Sequence, residues 1–376
     1  MKELALLFLK LGTIGFGGPA AHIAMMEDEV VRRRKWMSAD HFLDLLSATN
    51  LIPGPNSTEM AIHIGYQRGG WKGLIVAGAS FILPAVTITL LLARLYVLYG
   101  SLPHLQPFLS GIHPAIIAVI LTAVFRLGRS VSRKPVSAAL GVMVVVLNMV
   151  GIDEILLLLV SGLLGLLWSY RHKLLQSTAS LLMIPSFLNF QSSGTPAVEP
   201  IATLAGLGWF FLKIGSMLYG SGYVLVAFLQ GGLVDTRHWL TQSQLFDAIA
   251  IGQFTPGPVL STATFIGYLI LGVPGSTVAT FGIFIPSFIF VLLSSPFIPR
   301  LRKSPLASGF LDGVNAASVG LMLAVTIKLA LMALSGWGPW VILLVASALV
   351  LRWNINAAWI VLGSAILGWL FHVLTQ

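Results

Sequence analysis

Apolar runs of membrane-span length alternate with short polar or basic breaks along the whole chain. A bilayer core of about 30 Å takes roughly 17 to 25 apolar residues per helical span. Such runs lie near 4–25, 72–99, 107–127, 134–151 and 153–170, and again near 201–230, 275–298, 309–333, 336–351 and 356–373. They predict an all-α polytopic membrane protein with about 10 transmembrane helices. No long polar stretch offers a separate soluble domain.

Between the first and second run of each half the pattern changes. Residues 39–52 read as a short apolar helix, Pro53-Gly54-Pro55 breaks it, and 56–68 read as another. Each arm would measure about 21 Å at 1.5 Å per residue, too short to cross. A re-entrant hairpin is therefore predicted. Residues 242–255, Pro256-Gly257-Pro258 and 259–271 predict a second one.

The two hairpins belong to a larger repeat. Phe8-Leu9-Lys10-Leu11-Gly12 returns as Phe211-Leu212-Lys213-Ile214-Gly215, Trp36 as Trp239 and Asp44 as Asp247, all 203 positions on. After the Pro-Gly-Pro one residue drops out: Gly65-Tyr66 matches Gly267-Tyr268, Pro84 matches Pro286, and Arg126 matches Lys328. The expected organisation is a repeat over 1–175, a cytoplasmic linker over 176–200 that is polar near its end, and a second repeat over 201–376. Five spans plus a hairpin make an odd number of crossings, so the halves should face opposite ways. Loop charge agrees. With both termini outside, Arg32 to Lys35, Arg126 to Lys134, Arg171, Lys173 and Arg300 to Lys303 all fall inside, against Lys2 and Arg237 outside.

Composition sharpens this picture. Hydrophobic residues make up 56% of the chain and charged residues 9%, against about 25% charged in a soluble protein. Lipid must cover most of the exterior. The net charge of +9 would suggest nucleic acid in a soluble chain; here it is read as positive-inside bias, with no nucleic-acid partner. The absence of cysteine excludes disulfides, thiol chemistry and cysteine-ligated metals. No His-x-x-x-His spacing or Gly-x-x-x-x-Gly-Lys-Ser/Thr motif occurs, so no cofactor, metal site or enzyme activity is expected. The N-terminus does not read as a signal peptide.

Inverted repeats place substrate near the midplane, where broken helices end. Helix N-termini there offer N–H groups and about half a positive charge, which suits an anion. Asn56, Ser57 and Thr58 follow the first Pro-Gly-Pro, and Ser261, Thr262 and Thr264 the second. The plainer reading is that they cap buried helix ends. Gly15-Phe16-Gly17-Gly18-Pro19 predicts a break in the first run, with Gly17 and Gly18 adding free N–H groups. Lys10 and Lys213 occupy matching intramembrane positions and would suit a dianion, or would snorkel to the interface. Arg126 is read as a positive-inside residue. For ion coupling, Asp44, Glu59, Asp247 and His22 are the candidates.

Gly15-Phe-Gly-Gly-Pro-Ala-Ala-His22-Ile23, the acidic-then-basic stretch to Trp36, and Asn50-Leu-Ile-Pro-Gly-Pro-Asn56 through Gly65-Tyr66 resemble the chromate ion transporter family. Phe254-Thr-Pro-Gly-Pro258 and Phe281 to Pro286 do so in the second half. The resemblance covers essentially the whole chain and matches the family's long, two-domain form. It implies efflux of chromate across the cell inner membrane, with sulfate as a chemically similar alternative. Two departures stand out: Val259 replaces Asn56, and Tyr219-Gly-Ser-Gly222 only weakly echoes Phe16-Gly-Gly-Pro19. The second half is thus expected to contribute less to ligand contact. Oligomeric state is not fixed, and a homodimer stays open.

Overall fold

The computed structural model describes residues 1–100, 106–174, 201–219, 222–295, 305–353 and 355–375. Among them every regular element is helical. The expected linker over 176–200 lies outside the described residues, as do Gly220, Ser221, Arg300, Arg302 and Lys303. Among the described residues five helices are long and apolar enough to cross a membrane: Asn56–Tyr99, Gln106–Val131, Val259–Ser294, Ser308–Ala333 and Ala357–Leu374. Shorter apolar helices stand beside them. Large apolar side chains such as Leu6, Leu83, Trp209, Leu331 and Leu374 stay exposed, as lipid contact requires.

The chain opens with α1 (Lys2–Ile14) and α2 (Gly18–Glu27), and α2 runs on into a π-helix over Asp28–Arg33. The run expected to span at 4–25 turns back on itself. Lys10 pairs with Glu29 at 2.8 Å, and Glu3 pairs with Arg34. Such pairs form only if α1 and the α2 segment lie antiparallel. The break therefore reverses the chain instead of kinking a span. Positive φ at Gly17 (111°) and Gly18 (77°) makes the reversal, a region that glycine enters without Cβ strain.

α3 (Ala39–Thr49) is capped by Ser38, whose hydroxyl accepts from His41 N–H. It leads to the first Pro-Gly-Pro tip, and α4 (Asn56–Tyr99) follows. Within α4 the dihedrals of Gly69 (φ −152°, ψ 24°) and Gly70 (φ 58°, ψ −148°) leave the helical region. The arm 56–68 folds against 71–99 at this turn. A Cβ on Gly65 would strike the Gly73 carbonyl, and one on Gly78 would meet Ile62. Small residues permit this backbone approach. The predicted short arm is thus real, and its return stroke is the first long span.

α5 (Gln106–Val131), α6 (Pro135–Met149) and α7 (Glu154–Leu174) complete the first half. The second half opens with α8 (Leu204–Met217). α9 (Leu225–Leu229) follows, flanked by a 3-10 turn over Gly222–Val224 and a π-helix over Gln230–Asp235. Arg237 returns to lie 5.0 Å over the Phe210 ring, so this expected span over 201–230 also reverses. α10 (Gln242–Phe254) carries a capping box between Thr241 and Gln244. α11 (Thr262–Ser294) turns at Leu271 (φ −137°, ψ 25°) and Gly272 (φ 62°, ψ −150°), dihedrals within about 20° of those at Gly69-Gly70. α12 (Pro305–Ala333), α13 (Trp337–Trp353) and α14 (Ala357–Thr375) close the fold.

The halves interlock. A Cβ on Gly111 of α5 would strike α14 at Ser364 and Gly368, and one on Gly165 of α7 would strike α12 at Gly309 and Gly313. Glycine therefore sets both cross-half contacts.

Candidate oxyanion site at the crossed tips

Each Pro-Gly-Pro tip meets the break of the other half. Gly257 N–H donates to the Gly15 carbonyl at 2.8 Å, and Gly54 N–H donates to the Leu218 carbonyl at 2.7 Å. Both tip glycines have positive φ, 89° at Gly257 and 143° at Gly54. A Cβ on Gly257 would lie 2.9 Å from Ala85 Cβ and 3.1 Å from the Gly12 carbonyl. The tip can dock only because glycine stands there. His22 Nε2 also hydrogen-bonds the Gly15 carbonyl, at 2.8 Å. Its ring packs edge-on to Phe81 at 5.3 Å.

A cavity of about 160 Å³ opens at the Gly15–Gly257 junction. At roughly 30 Å³ per water, it can take a small polyatomic ion with part of its hydration. Gly17, Gly18, Arg126, Gln253, Thr255 and Asn356 are among its lining residues, as are Thr122 and Tyr223. α2 begins here, and the first N–H groups of a helix have no partner within it. The positive end of its dipole points the same way. Arg126 Nη2 donates to the Val350 carbonyl at 3.1 Å; a guanidinium carries five N–H donors in a planar fork. The Asn356 amide lies beside Gly17, with Nδ2 3.3 Å from where a Gly17 Cβ would stand. The threonines are spoken for as donors: Thr122 bonds the Ala118 carbonyl at 2.8 Å and Thr255 the Ile251 carbonyl at 2.6 Å. Among the described residues no carboxylate lines this cavity. Its chemistry is that of an oxyanion receptor. A larger groove of about 450 Å³ between α4 and α11, lined by Ile82, Leu83, Phe284 and Phe288, has no lysine or arginine among its described lining residues.

The opposite junction, at Gly54 and Leu218, has different chemistry. Glu59 is fully buried there, and neither carboxyl oxygen has a hydrogen-bond partner. Ser287 Oγ and Thr58 Oγ1 are buried and unpartnered as well. Lys328, which matches Arg126 in sequence, is drawn to Asp235 at 3.6 Å.

Of the residues singled out from sequence, Gly17 and Gly18 reach the cavity. Lys10 has a half-exposed side chain and is ion-paired; Lys213 is exposed. Asn56 Nδ2 donates to Asn50 Oδ1 at 2.7 Å across the base of the tip. Ser57 and Thr58 are buried behind it. Ser261 Oγ accepts from Thr89 at 3.2 Å, Thr262 donates to the Val259 carbonyl at 2.8 Å, and Thr264 pairs with Thr280 at 2.8 Å. Asp44 is half-buried on α3. Asp247 is buried and accepts from the Tyr96 hydroxyl at 2.7 Å, and its other oxygen lies 3.4 Å from His113 Nε2. Arg126, Gln253 and Asn356 were not legible as site residues. Arg126 had a signal, its match to Lys328, but its place near a basic helix end reads equally as membrane orientation.

Re-entrant tips that cross between halves around a cationic cavity define the chain as an all-α membrane transporter. It belongs to the chromate transporter family, whose model matches residues 2–166 and again 205–369. It is 32% identical over 371 residues to the chromate transport protein of Cupriavidus metallidurans, covering 98% of this chain and 92% of that one. A probable chromate transport protein of Synechococcus elongatus is 32% identical over 373 residues, 95% of this chain and 91% of its own. The chromate transport protein of Pseudomonas aeruginosa is 30% identical over 331 residues, 86% and 79% of the two chains. No solved structure matches the chain.

Proposed function

We propose that the protein exports a tetrahedral oxyanion, chromate, across the inner membrane by alternating access. The observation that carries this reading is the cavity at the Gly15–Gly257 junction, where Arg126, Asn356 and the α2 N-terminus converge with no carboxylate among the described lining residues. The names of the relatives supply chromate; sulfate, with the same shape and charge, is the competing substrate. Both ends of the junction are half-length elements, each tied to its own half. Sliding one half against the other would break the Gly257–Gly15 and Gly54–Leu218 bonds in turn, which suits a two-sided site.

The reversal of α1 bears on the orientation. Met1 packs near Gly69, Glu3 pairs with Arg34, and Arg68 lies 5.1 Å over Trp36. The N-terminus therefore shares an end with the basic cluster. With basic residues cytoplasmic, this supports a cytoplasmic N-terminus, where the span count suggests an outside one. α14 packs its C-terminal Gly368 against Pro107 at the start of α5, away from the basic cluster, which supports an outside C-terminus. Export suits the energetics: a dianion leaving a negative interior gains about 4.6 kcal/mol at roughly 100 mV.

The test is flux in proteoliposomes under an imposed potential, interior negative. Chromate efflux that sulfate competes away supports the reading, and no chromate flux under any gradient ends it.

A further inference from the structure

The junction at Gly54 and Leu218 carries a buried acid where the anion cavity carries a guanidinium. Glu59 and His63 lie one helical turn apart on the first arm of α4, so they share a face. Both are 0% exposed. Both Glu59 oxygens and His63 Nε2 lack hydrogen-bond partners. An uncompensated carboxylate at this depth is costly unless a cation or proton neutralises it. Opposite them α11 presents Ser287 and Ser295. A Cβ on Gly54 would meet Glu59 Oε1 and, at 2.6 Å, Ser287 Oγ, so both side chains crowd the tip. His63 Nδ1 lies 3.5 Å from Ser295 Oγ at the end of α11, and Ser295 is partly exposed. On the same two helices Ile62, Leu74 and Val291 form a small apolar cluster.

We propose that this seam is a proton path, with Glu59 as the proton-binding site at the tip and His63 as the relay toward Ser295. It rests on the reading of the protein as an anion exporter and names what exchanges with the anion: protons move inward as the dianion moves outward. In each cycle Glu59 takes a proton from the far side and passes it to His63, whose other nitrogen releases one to water at Ser295. No bond other than those to hydrogen forms or breaks. Other titratable groups nearby are Tyr219 from the second-half break, whose phenol lies within electrostatic reach of Glu59, and Asp40, His41 and Asp44 on the exposed or half-exposed side of α3. Lys10 on α1 is committed to Glu29, and His22 on α2 to the Gly15 carbonyl.

The experiment uses the full chain in proteoliposomes containing a pH-sensitive dye, with chromate flux and proton movement recorded together. Wild-type protein should acidify the chromate-loaded lumen, on the side that loses the anion, as chromate leaves down its gradient. Glu59→Gln should lose this proton movement and the dependence of flux on an imposed pH gradient. It should keep chromate–chromate counterflow, which needs no net proton transfer. His63→Gln should slow proton movement severalfold with counterflow intact. Wild-type chromate flux with no proton movement overturns the proposal while sparing the transport reading; absence of flux sinks the transport reading first. Glu59→Gln protein that still couples protons also overturns it. If Glu59→Gln fails to fold, Glu59→Asp must keep coupling, and the wild-type proton record still decides.

Discussion

Gly257 N–H donates to the Gly15 carbonyl across 242 positions of sequence at 2.8 Å, and Gly54 N–H repeats the bond to Leu218 at 2.7 Å. These two bonds pin a tip of each half into the break of the other. The first borders the cavity that Gly257, Arg126 and Asn356 line. Gly257→Ala meets both a positive φ and the Ala85 methyl at 2.9 Å. Strain of that kind costs about 1–3 kcal/mol. Thermal melting in detergent should show the loss, and chromate flux should fall more than expression does. A variant as stable and as active as wild type would mean the tip does not dock as described.

Among the described lining residues of that cavity, Arg126 is the only lysine or arginine. Arg126→Gln should remove charge-assisted bonds to the oxyanion worth about 1.5–3 kcal/mol, weakening chromate binding roughly 10- to 150-fold by the same arithmetic. Arg126→Lys keeps the charge but not the fork and should fall between. Binding measured by calorimetry in detergent checks the order, and equal affinity for all three proteins would remove the cavity from consideration.

Lys10 bonds Glu29 with half its side chain exposed. Exposed ion pairs contribute about 0–1 kcal/mol. Lys10→Met should shift the melting temperature slightly and leave the chromate KM unchanged. A large rise in KM would restore Lys10 to the binding site that the sequence suggests for it.

Asp247 holds the Tyr96 hydroxyl in a buried setting and has His113 3.4 Å from its other oxygen. Tyr96→Phe leaves that carboxylate oxygen without its donor, at a cost of about 1–3 kcal/mol. Asp247→Asn should cost a similar amount. The double variant should be less destabilised than the sum, with a coupling of about 0.5–3 kcal/mol. Chemical denaturation of the four proteins measures it, and strict additivity would show that the pair does not interact.

His22 Nε2 bonds the same Gly15 carbonyl that receives Gly257. His22→Leu keeps bulk against Phe81 and removes the bond, so it should destabilise the protein by about 0.5–1.5 kcal/mol without altering the pH dependence of transport. A lost pH dependence would assign His22 to coupling instead.

Much of this architecture was legible in the chain. Membrane character follows from composition, because 9% charged residues cannot clothe a protein in water. The hairpin arms at 39–52 and 56–68 were legible because Pro-Gly-Pro interrupts a helix wherever it stands. The break at Gly15 to Pro19 was legible for the same local reason, though not that it reverses the chain. That needed Lys10 to find Glu29 and Glu3 to find Arg34, contacts with no local signature. Which tip enters which break was beyond the sequence altogether. Only packing decided that Gly257 would lie on Gly15, and that Arg126 would line a cavity while its sequence match Lys328 turned to Asp235. Local covalent constraints set where a helix must stop. Where its end goes depends on the shapes of residues some two hundred positions away, and these meet only in the folded chain.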